Sequence, residues 1–151
     1  YSLIKYKDTG YSLERTFGVY KLLLTDRSPN EEVQKLEAIK GNDNTAQVYL
    51  SVEKNGCKGL YMYHFTEGKD EKITGCELLP MAYDAIYYHA TFNHQPFFYI
   101  EKEGKKGFYP PQKDPIYDRL EQVSASFYRF ERDGIKGYLD GSSFNEIMTN
   151  D

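Results

Sequence analysis

Short runs of apolar and aromatic residues that favour strands, four or five long, recur along this chain between polar stretches, and three of them are followed at once by a glycine-bearing turn signal. Val48–Val52, Phe97–Ile100 and Phe127–Phe130 each lead into the same seven-residue pattern, E-[KR]-x-G-x-K-G. The copies are Glu53 to Gly59, Glu101 to Gly107 and Glu131 to Gly137. A second β-rich run follows each one: Leu60–Tyr63, Phe108-Tyr109 and Tyr138-Leu139. β-rich runs on either side of a short polar turn predict antiparallel hairpins. If Asn55-Gly56, Glu103-Gly104 and Asp133-Gly134 are two-residue type I′ turns, the register of each hairpin follows by counting outward. Glu53 then faces Lys58, Glu101 faces Lys106 and Glu131 faces Lys136. Such cross-strand charge pairs contribute roughly 0.2–1 kcal/mol each. One step further out, Val52, Ile100 and Phe130 face Gly59, Gly107 and Gly137. A bulky side chain opposite a residue without Cβ predicts either room for a neighbouring side chain or a bulge.

A second motif recurs between the hairpins. Pro80-Met-Ala-Tyr83-Asp84-Ala-Ile86 is matched by Pro115-Ile-Tyr117-Asp118-Arg-Leu120 and more loosely by Phe144-Asn145-Glu-Ile147. Proline followed by aromatic-Asx-x-aliphatic predicts an edge or entering strand whose Asx side chain serves a turn amide. The repeat unit is therefore one aromatic-Asx strand plus one hairpin. Successive units are 48 and 30 residues apart, counted between Gly59, Gly107 and Gly137, and the surplus falls in the polar stretch Thr66 to Lys72, expected as an exposed loop.

The N-terminal quarter gives two conflicting signals. Thr16-Phe17-Gly18-Val19-Tyr20 resembles a degraded hairpin return, and Leu36-Glu-Ala-Ile39 keeps the phase of the aromatic-Asx element, which makes this stretch another repeat. Against that, Ser28-Pro29-Asn-Glu31-Glu32 starts a helix well, Val33, Leu36 and Ile39 share a helical face, and Lys40-Gly41 is a good stop. A short helix near 29–40 and a repeat strand both stand as expectations. The predicted fold is all-β, built of consecutive antiparallel β-hairpin repeats with solenoid-like or partial propeller-like stacking. It forms one repeat domain over 1–151, with units at about 1–47 (degenerate), 48–95, 96–126 and 127–151 (partial).

Composition narrows the function classes. The 151 residues carry a formal charge of −4, with 19 basic and 23 acidic side chains, so a basic nucleic-acid footprint is not expected. No apolar run approaches the roughly 18 residues of a membrane-spanning helix. Tyr 15 and Phe 9 with Trp 0 point to many short, half-buried strands. Cys57 and Cys76 are too few for a disulfide framework and predict two unlinked thiols. Because the chain starts at Tyr1, it reads as a fragment or a processed form.

The G-x-K-G return strands combined with P-x-x-Y-D-x-I resemble the WG (KWG) repeat family over about 48–147, and more loosely from residue 11. Lys58, Lys106 and Lys136 stand where that family has its tryptophan, with an aromatic only at Phe17, so the copies resemble a divergent branch lacking the Trp. Members are mostly bacterial β-repeat proteins, so the resemblance implies an interaction module and no catalytic residues. The structural motif it marks comprises Glu53, Gly56, Lys58, Gly59, Glu101, Gly104, Lys106, Gly107, Glu131, Gly134, Lys136 and Gly137, together with Tyr83, Asp84, Tyr117 and Asp118.

Catalytic patterns are missing from the sequence. His64, His89 and His94 lack metal-ligand spacing, and there is no G-x-S-x-G elbow or phosphate-cradling glycine loop. The expectation is therefore no catalytic, metal or cofactor site. The tyrosines (Tyr61, Tyr63, Tyr83, Tyr87, Tyr88, Tyr99, Tyr109, Tyr117, Tyr128, Tyr138) are expected mostly in or beside the core. Those facing outward make hot spots for a protein partner, or, as the alternative, stacking platforms for a cell-envelope glycan. The expected function is a non-catalytic protein-interaction module, with no nucleic acid and no membrane span.

Overall fold

Type I′ turns set the frame of the fold. Asn55 and Gly56 have φ of 56° and 81°, Glu103 and Gly104 54° and 78°, and Asp133 and Gly134 48° and 79°. Both central residues of each turn are thus left-handed, the geometry whose twist matches the flanking strands. The computed structural model describes residues 2–6, 10–14, 21–24, 27, 30–41, 45–66, 72–141 and 143–148. The stretches 16–20 and 67–71, expected as a degraded hairpin return and an exposed loop, lie outside these residues.

The protein is all-β: every regular element among the described residues is a strand, and all pairings are antiparallel. Three short strands, β1 (Ser2–Tyr6), β2 (Gly10–Glu14) and β3 (Lys21–Leu24), form a first sheet. Three four-stranded sheets follow, in each of which chain order is also spatial order. They comprise β4 (Glu32–Lys40), β5 (Thr45–Lys54), β6 (Cys57–Thr66) and β7 (Lys72–Tyr83); then β8 (Ala85–Phe92), β9 (Gln95–Lys102), β10 (Lys105–Tyr109) and β11 (Lys113–Tyr117); then β12 (Arg119–Gln122), β13 (Phe127–Arg132), β14 (Ile135–Asp140) and β15 (Glu146–Met148). The chain divides into two compact units, Tyr1–Ile86 and Tyr87–Asp151, where one repeat domain was expected. Sheets begin at Glu32, Ala85 and Arg119, so the sequence boundaries at 47/48, 95/96 and 126/127 fall inside sheets.

The helix near 29–40 does not form. Residues 32–40 are strand β4, which pairs with β5 and carries a bulge. Lys35 pairs with Leu50 and Glu37 with Tyr49, leaving Leu36 as an extra residue. Val33 and Ala38 are five apart, yet both pack on the core because their partners Val52 and Val48 are four apart. One inserted residue shifts the two-residue alternation, so Val33, Leu36 and Ile39, the expected helical face, do not share a face of the strand.

The hairpin registers are those counted from the turns: Glu53 opposite Lys58, Glu101 opposite Lys106, Glu131 opposite Lys136, with Val52, Ile100 and Phe130 opposite Gly59, Gly107 and Gly137. Of the three charge pairs only Glu131–Lys136 closes to an ion pair, at 3.7 Å. Glu101 accepts a hydrogen bond from the Tyr87 hydroxyl instead, at 3.0 Å.

The role of Gly59 and Gly107 lies on their other side, toward the fourth strand. Lys58 pairs with Tyr83 and Leu60 with Leu79, so Pro80, Met81 and Ala82 all lie opposite Gly59. In the next sheet Lys106 pairs with Tyr117 and Phe108 with Lys113, so Asp114, Pro115 and Ile116 lie opposite Gly107. The same three-for-one bulge thus occurs twice, each time with a proline that has no N–H to leave unpaired. Its backbone rests on the glycine: a Cβ on Gly59 would sit 2.9 Å from the Leu79 carbonyl oxygen, and one on Gly107 2.8 Å from the Asp114 carbonyl carbon. At Gly137 the approach is shared by the Ile147 carbonyl oxygen, at 2.5 Å, and the Phe130 ring, at 2.9 Å.

After each bulge the aromatic residue closes its sheet and the aspartate turns the chain into the next one. Tyr83 and Tyr117 are buried, and Asp84 and Asp118 are bends between strands. Asp118 shows how the joint is fastened. Its N–H donates to the Glu131 carbonyl (2.7 Å), and its Oδ2 accepts from the Asp133 N–H of the following turn (3.2 Å). Lys105 forms an ion pair with its other oxygen. In the last sheet the motif is out of phase: Phe144 and Asn145 precede β15 rather than end it, and Ile147 pairs with Tyr138.

These contacts separate two kinds of glycine. Gly107→Val is expected to destabilise by about 2 kcal/mol or more, because backbone rather than a pliable side chain fills the space. Gly104, with open space around its α-carbon, requires only a positive φ. Denaturant melts should therefore show Gly104→Asn losing less than Gly104→Ala, since asparagine tolerates that region, while Gly107→Asn is as damaging as Gly107→Ala. Equal rescue by asparagine at both positions would contradict the close approach at Gly107.

Candidate functional site

Alternation along the last sheet places two different surfaces back to back. Leu120, Tyr128, Phe130 and Leu139 point inward, where they join Tyr99, Phe108, Tyr117 and Phe144 in the core of the second unit. This core is a run of ring contacts: Phe108 lies 4.6 Å from Phe144, 5.3 Å from Tyr128 and 5.4 Å from Tyr99 between centroids. Burial raises the Tyr99, Tyr117 and Tyr128 hydroxyl pKa values, so these phenols stay protonated.

The outward positions form a stripe that runs from the residue after β12 across β13, β14 and β15. Val123, just past β12, donates its N–H to the Phe127 carbonyl; the Phe127 ring lies 6.3 Å from that of Tyr138; and Tyr138 pairs directly with Ile147. Val123 is 49 % exposed, Phe127 40 % and Ile147 46 %. Charges border the stripe. Arg119 reaches Glu131 at 3.9 Å and Glu121 at 4.0 Å, and Lys136 meets Glu131 from the neighbouring strand. Arg129, directly opposite Tyr138 in the ladder, is exposed.

On the other side of the unit a half-open cleft of about 400 Å³ lies between the ends of the β8–β11 and β12–β15 sheets. Its aromatic walls are Phe92, Phe97, Tyr128 and Phe144, and its polar wall is Asn93, Gln95 and Gln122. The β8–β9 turn supplies two of these groups: Asn93 and His94 are both left-handed, with φ of 50° and 62°. This fourth I′ turn escaped the sequence reading because it has no glycine; the asparagine between two β-rich runs was the available signal.

His89 stands behind the cleft. Its Nε2 is 3.0 Å from Gln122 Oε1, and its ring packs at 4.8 Å from Tyr99 and 5.9 Å from Tyr128. Burial among rings depresses the imidazole pKa, with the Gln122 hydrogen bond opposing in part. Elsewhere in the second unit, Arg132 grips Glu146 through Nε and Nη2 at 2.9 and 2.7 Å, and the Tyr117 hydroxyl donates to Glu146 at 2.8 Å. That network ties β11 to β13 and β15, and the Arg132 hydrogen bonds hold the Glu146 carboxyl pKa below its ordinary value.

In the first unit the Arg27 guanidinium lies 4.4 Å over the Tyr61 ring and pairs with Glu31 at 3.2 Å, while Tyr61 donates to Glu77 at 3.3 Å. His64 is exposed on β6, and His94 is exposed in its turn. Among the described residues no group of three or more His, Cys, Asp or Glu is placed to hold a metal ion. Cys57 and Cys76 are free thiols. No helix among them is long and apolar enough to cross a membrane. Of the ten tyrosines singled out by sequence, Tyr61, Tyr63, Tyr83, Tyr99, Tyr117 and Tyr128 are buried. Tyr87 is exposed, with its pKa pushed up to about 12 by partial burial and by donation to Glu101.

No family model, curated protein or solved structure matches the chain.

Two titrations with opposite chemistry should govern acid stability. Because the folded-state pKa of His89 lies below the unfolded value near 6.5, the unfolded chain binds more protons there, and stability falls as the pH drops from that value through the folded pKa. Glu146 acts lower: its contribution is complete above the ordinary carboxylate range near 4.5 and is lost as the pH falls through its depressed pKa. Thermal melts between pH 7.5 and 3 should show both steps, with His89→Phe flattening the first and Glu146→Gln the second. A first step unchanged by His89→Phe would mean that another group causes it.

Proposed function

We propose that this chain is a non-catalytic repeat module, a divergent relative of WG repeats, that binds a protein partner through the outer face of β12–β15. The observation that carries the reading is the Val123–Phe127–Tyr138–Ile147 stripe. Every large hydrophobic side chain more than about a third exposed among the described residues lies in the second unit, between Tyr87 and Met148. Scattered exposed apolar residues are ordinary, but a row that runs across three neighbouring strands and reaches the end of a fourth is the form that an interaction surface takes. Aromatic side chains at its centre and paired charges at its border match the anatomy of a protein interface, with the rings supplying affinity and the rim selecting the partner.

A binding role also fits the chemistry of the titratable groups. The buried phenols remain protonated, His89 is neutral among rings, and Glu146 is held by Arg132. Those arrangements stabilise a scaffold rather than activate a nucleophile. The likeness to WG repeats rests on the three E-[KR]-x-G-x-K-G hairpins and the two P-x-x-Y-D or P-x-Y-D closing strands.

The test is a paired substitution of exposed residues, Phe127→Asp with Ile147→Asp, compared with the unaltered protein by cross-linked capture from source extract. Circular dichroism should show an unchanged sheet spectrum, and the captured partner should be lost. Recovery of the same partner at the same level by the double variant would overturn the proposal.

A further inference from the structure

The cleft on the opposite side of the second unit has a chemistry of its own, independent of the outer stripe. Its lining contains no ionisable acid or base of ordinary pH range: aromatic rings, a proline, small residues and three side-chain amides make up the whole wall. A ligand bearing a net charge would be desolvated there without a counter-charge, so the cleft selects a neutral one. Its volume, about 400 Å³, lies within the range of small-molecule sites.

The amides carry hydrogen-bonding capacity that the protein leaves unused. The Asn93 amide makes no hydrogen bond within the described residues. Gln95 uses only its Nε2, which donates to the Pro96 carbonyl at 2.9 Å, and its Oε1 is left as an acceptor. Gln122 uses only its Oε1, toward His89 Nε2, and its amine is left as a donor. Phe92, 47 % exposed and tilted against Phe97 at 5.7 Å, offers a ring at the mouth. The wall thus presents both donors and acceptors beside an apolar ring.

We propose that this cleft is a binding site for a neutral saccharide, with Phe92 as the stacking platform and the Asn93, Gln95 and Gln122 amides as the hydroxyl-recognising groups. A sugar hydroxyl both donates and accepts, so one ring edge can satisfy the Gln95 carbonyl and the Gln122 amine together. The opposite, CH-rich face of the sugar covers the phenylalanine. A proline-rich peptide, which also favours aromatic-lined grooves, has no N–H at its prolines and leaves the Gln95 acceptor dry. His89 is a positioning residue: with Nε2 protonated it holds the Gln122 carbonyl and fixes which end of that amide faces the ligand.

The probes are a panel of neutral oligosaccharides (cello-, malto- and chitotetraose), heparin oligosaccharide and a proline octapeptide, titrated by calorimetry against the full chain. At least one neutral oligosaccharide should bind, and heparin and the peptide should not. Phe92→Ala and Asn93→Gly, the second of which keeps the left-handed turn, should each weaken binding about tenfold or more without shifting the melting temperature by more than a few degrees. The Phe127→Asp/Ile147→Asp double variant should bind the sugar normally, so loss of the protein-docking reading leaves this one standing, and the reverse. Binding of the peptide in preference to every sugar, binding of none of the panel, or sugar binding unaffected by both cleft substitutions would overturn the proposal.

Discussion

The structure depends on one steric fact: in two successive sheets a bulged backbone lies directly on the α-carbon of a glycine. Gly59 and Gly107 are the points where the fourth strand runs three residues against one. Without that surplus the strand would continue straight along the ladder. With it, the strand swings over the sheet and delivers a buried tyrosine, Tyr83 or Tyr117, opposite the lysine that follows the hairpin turn. The aspartate next in sequence is then at the bend where a new sheet begins. Proline suits the bulge because it asks nothing of the ladder, and glycine is required because there is no room for any other residue.

From this joint the coupling between neighbouring sheets of the second unit follows. Asp118 ends one sheet and accepts from the turn amide of the next, while Lys105, from the previous hairpin turn, supplies its counter-charge. Both partners are well exposed, so the pair is worth little as an isolated salt bridge; its value is to register one sheet's turn against its neighbour's end. The Arg132–Glu146–Tyr117 network, less exposed and bidentate, does the stronger work. Beside these polar ties lies the ring-on-ring core, one of whose tyrosines, Tyr117, reaches the network with its hydroxyl. A protein with no tryptophan fills its interior with many medium-sized rings.

What could be read in the sequence was whatever is fixed locally. Hairpin register is one such property: turn residues with left-handed φ, a charge pair and a bulky-residue-to-glycine pair all lie within eight positions, and each of the three copies carries them. The helix suggested near 29–40 failed for an equally local reason in reverse. The bulge at Leu36 becomes visible only in the pairing of β4 with β5. The closing-strand motif was visible, but its phase in the last sheet was not, because the sequence around Phe144 imitates the motif one strand-end too early. The stripe and the cleft lay further from reach. Val123, Phe127, Tyr138 and Ile147 become neighbours only when three strand registers are known together, and the cleft needs residues of two sheets.

That distinction bears on how surfaces evolve in a repeat. The residues that make the frame recur: the left-handed turn in all three hairpins, and the glycine under the bulge and the tyrosine that closes the sheet in the first two. Outward positions of a strand are constrained only by solvent, so each copy is free to diverge there. In the last sheet those free positions hold valine, phenylalanine, tyrosine and isoleucine in one line. Solubility alone disfavours such a line, since polar side chains would serve the sheet equally well and expose less apolar area. An apolar row at positions the frame does not dictate is the feature on which the proposed partner surface rests.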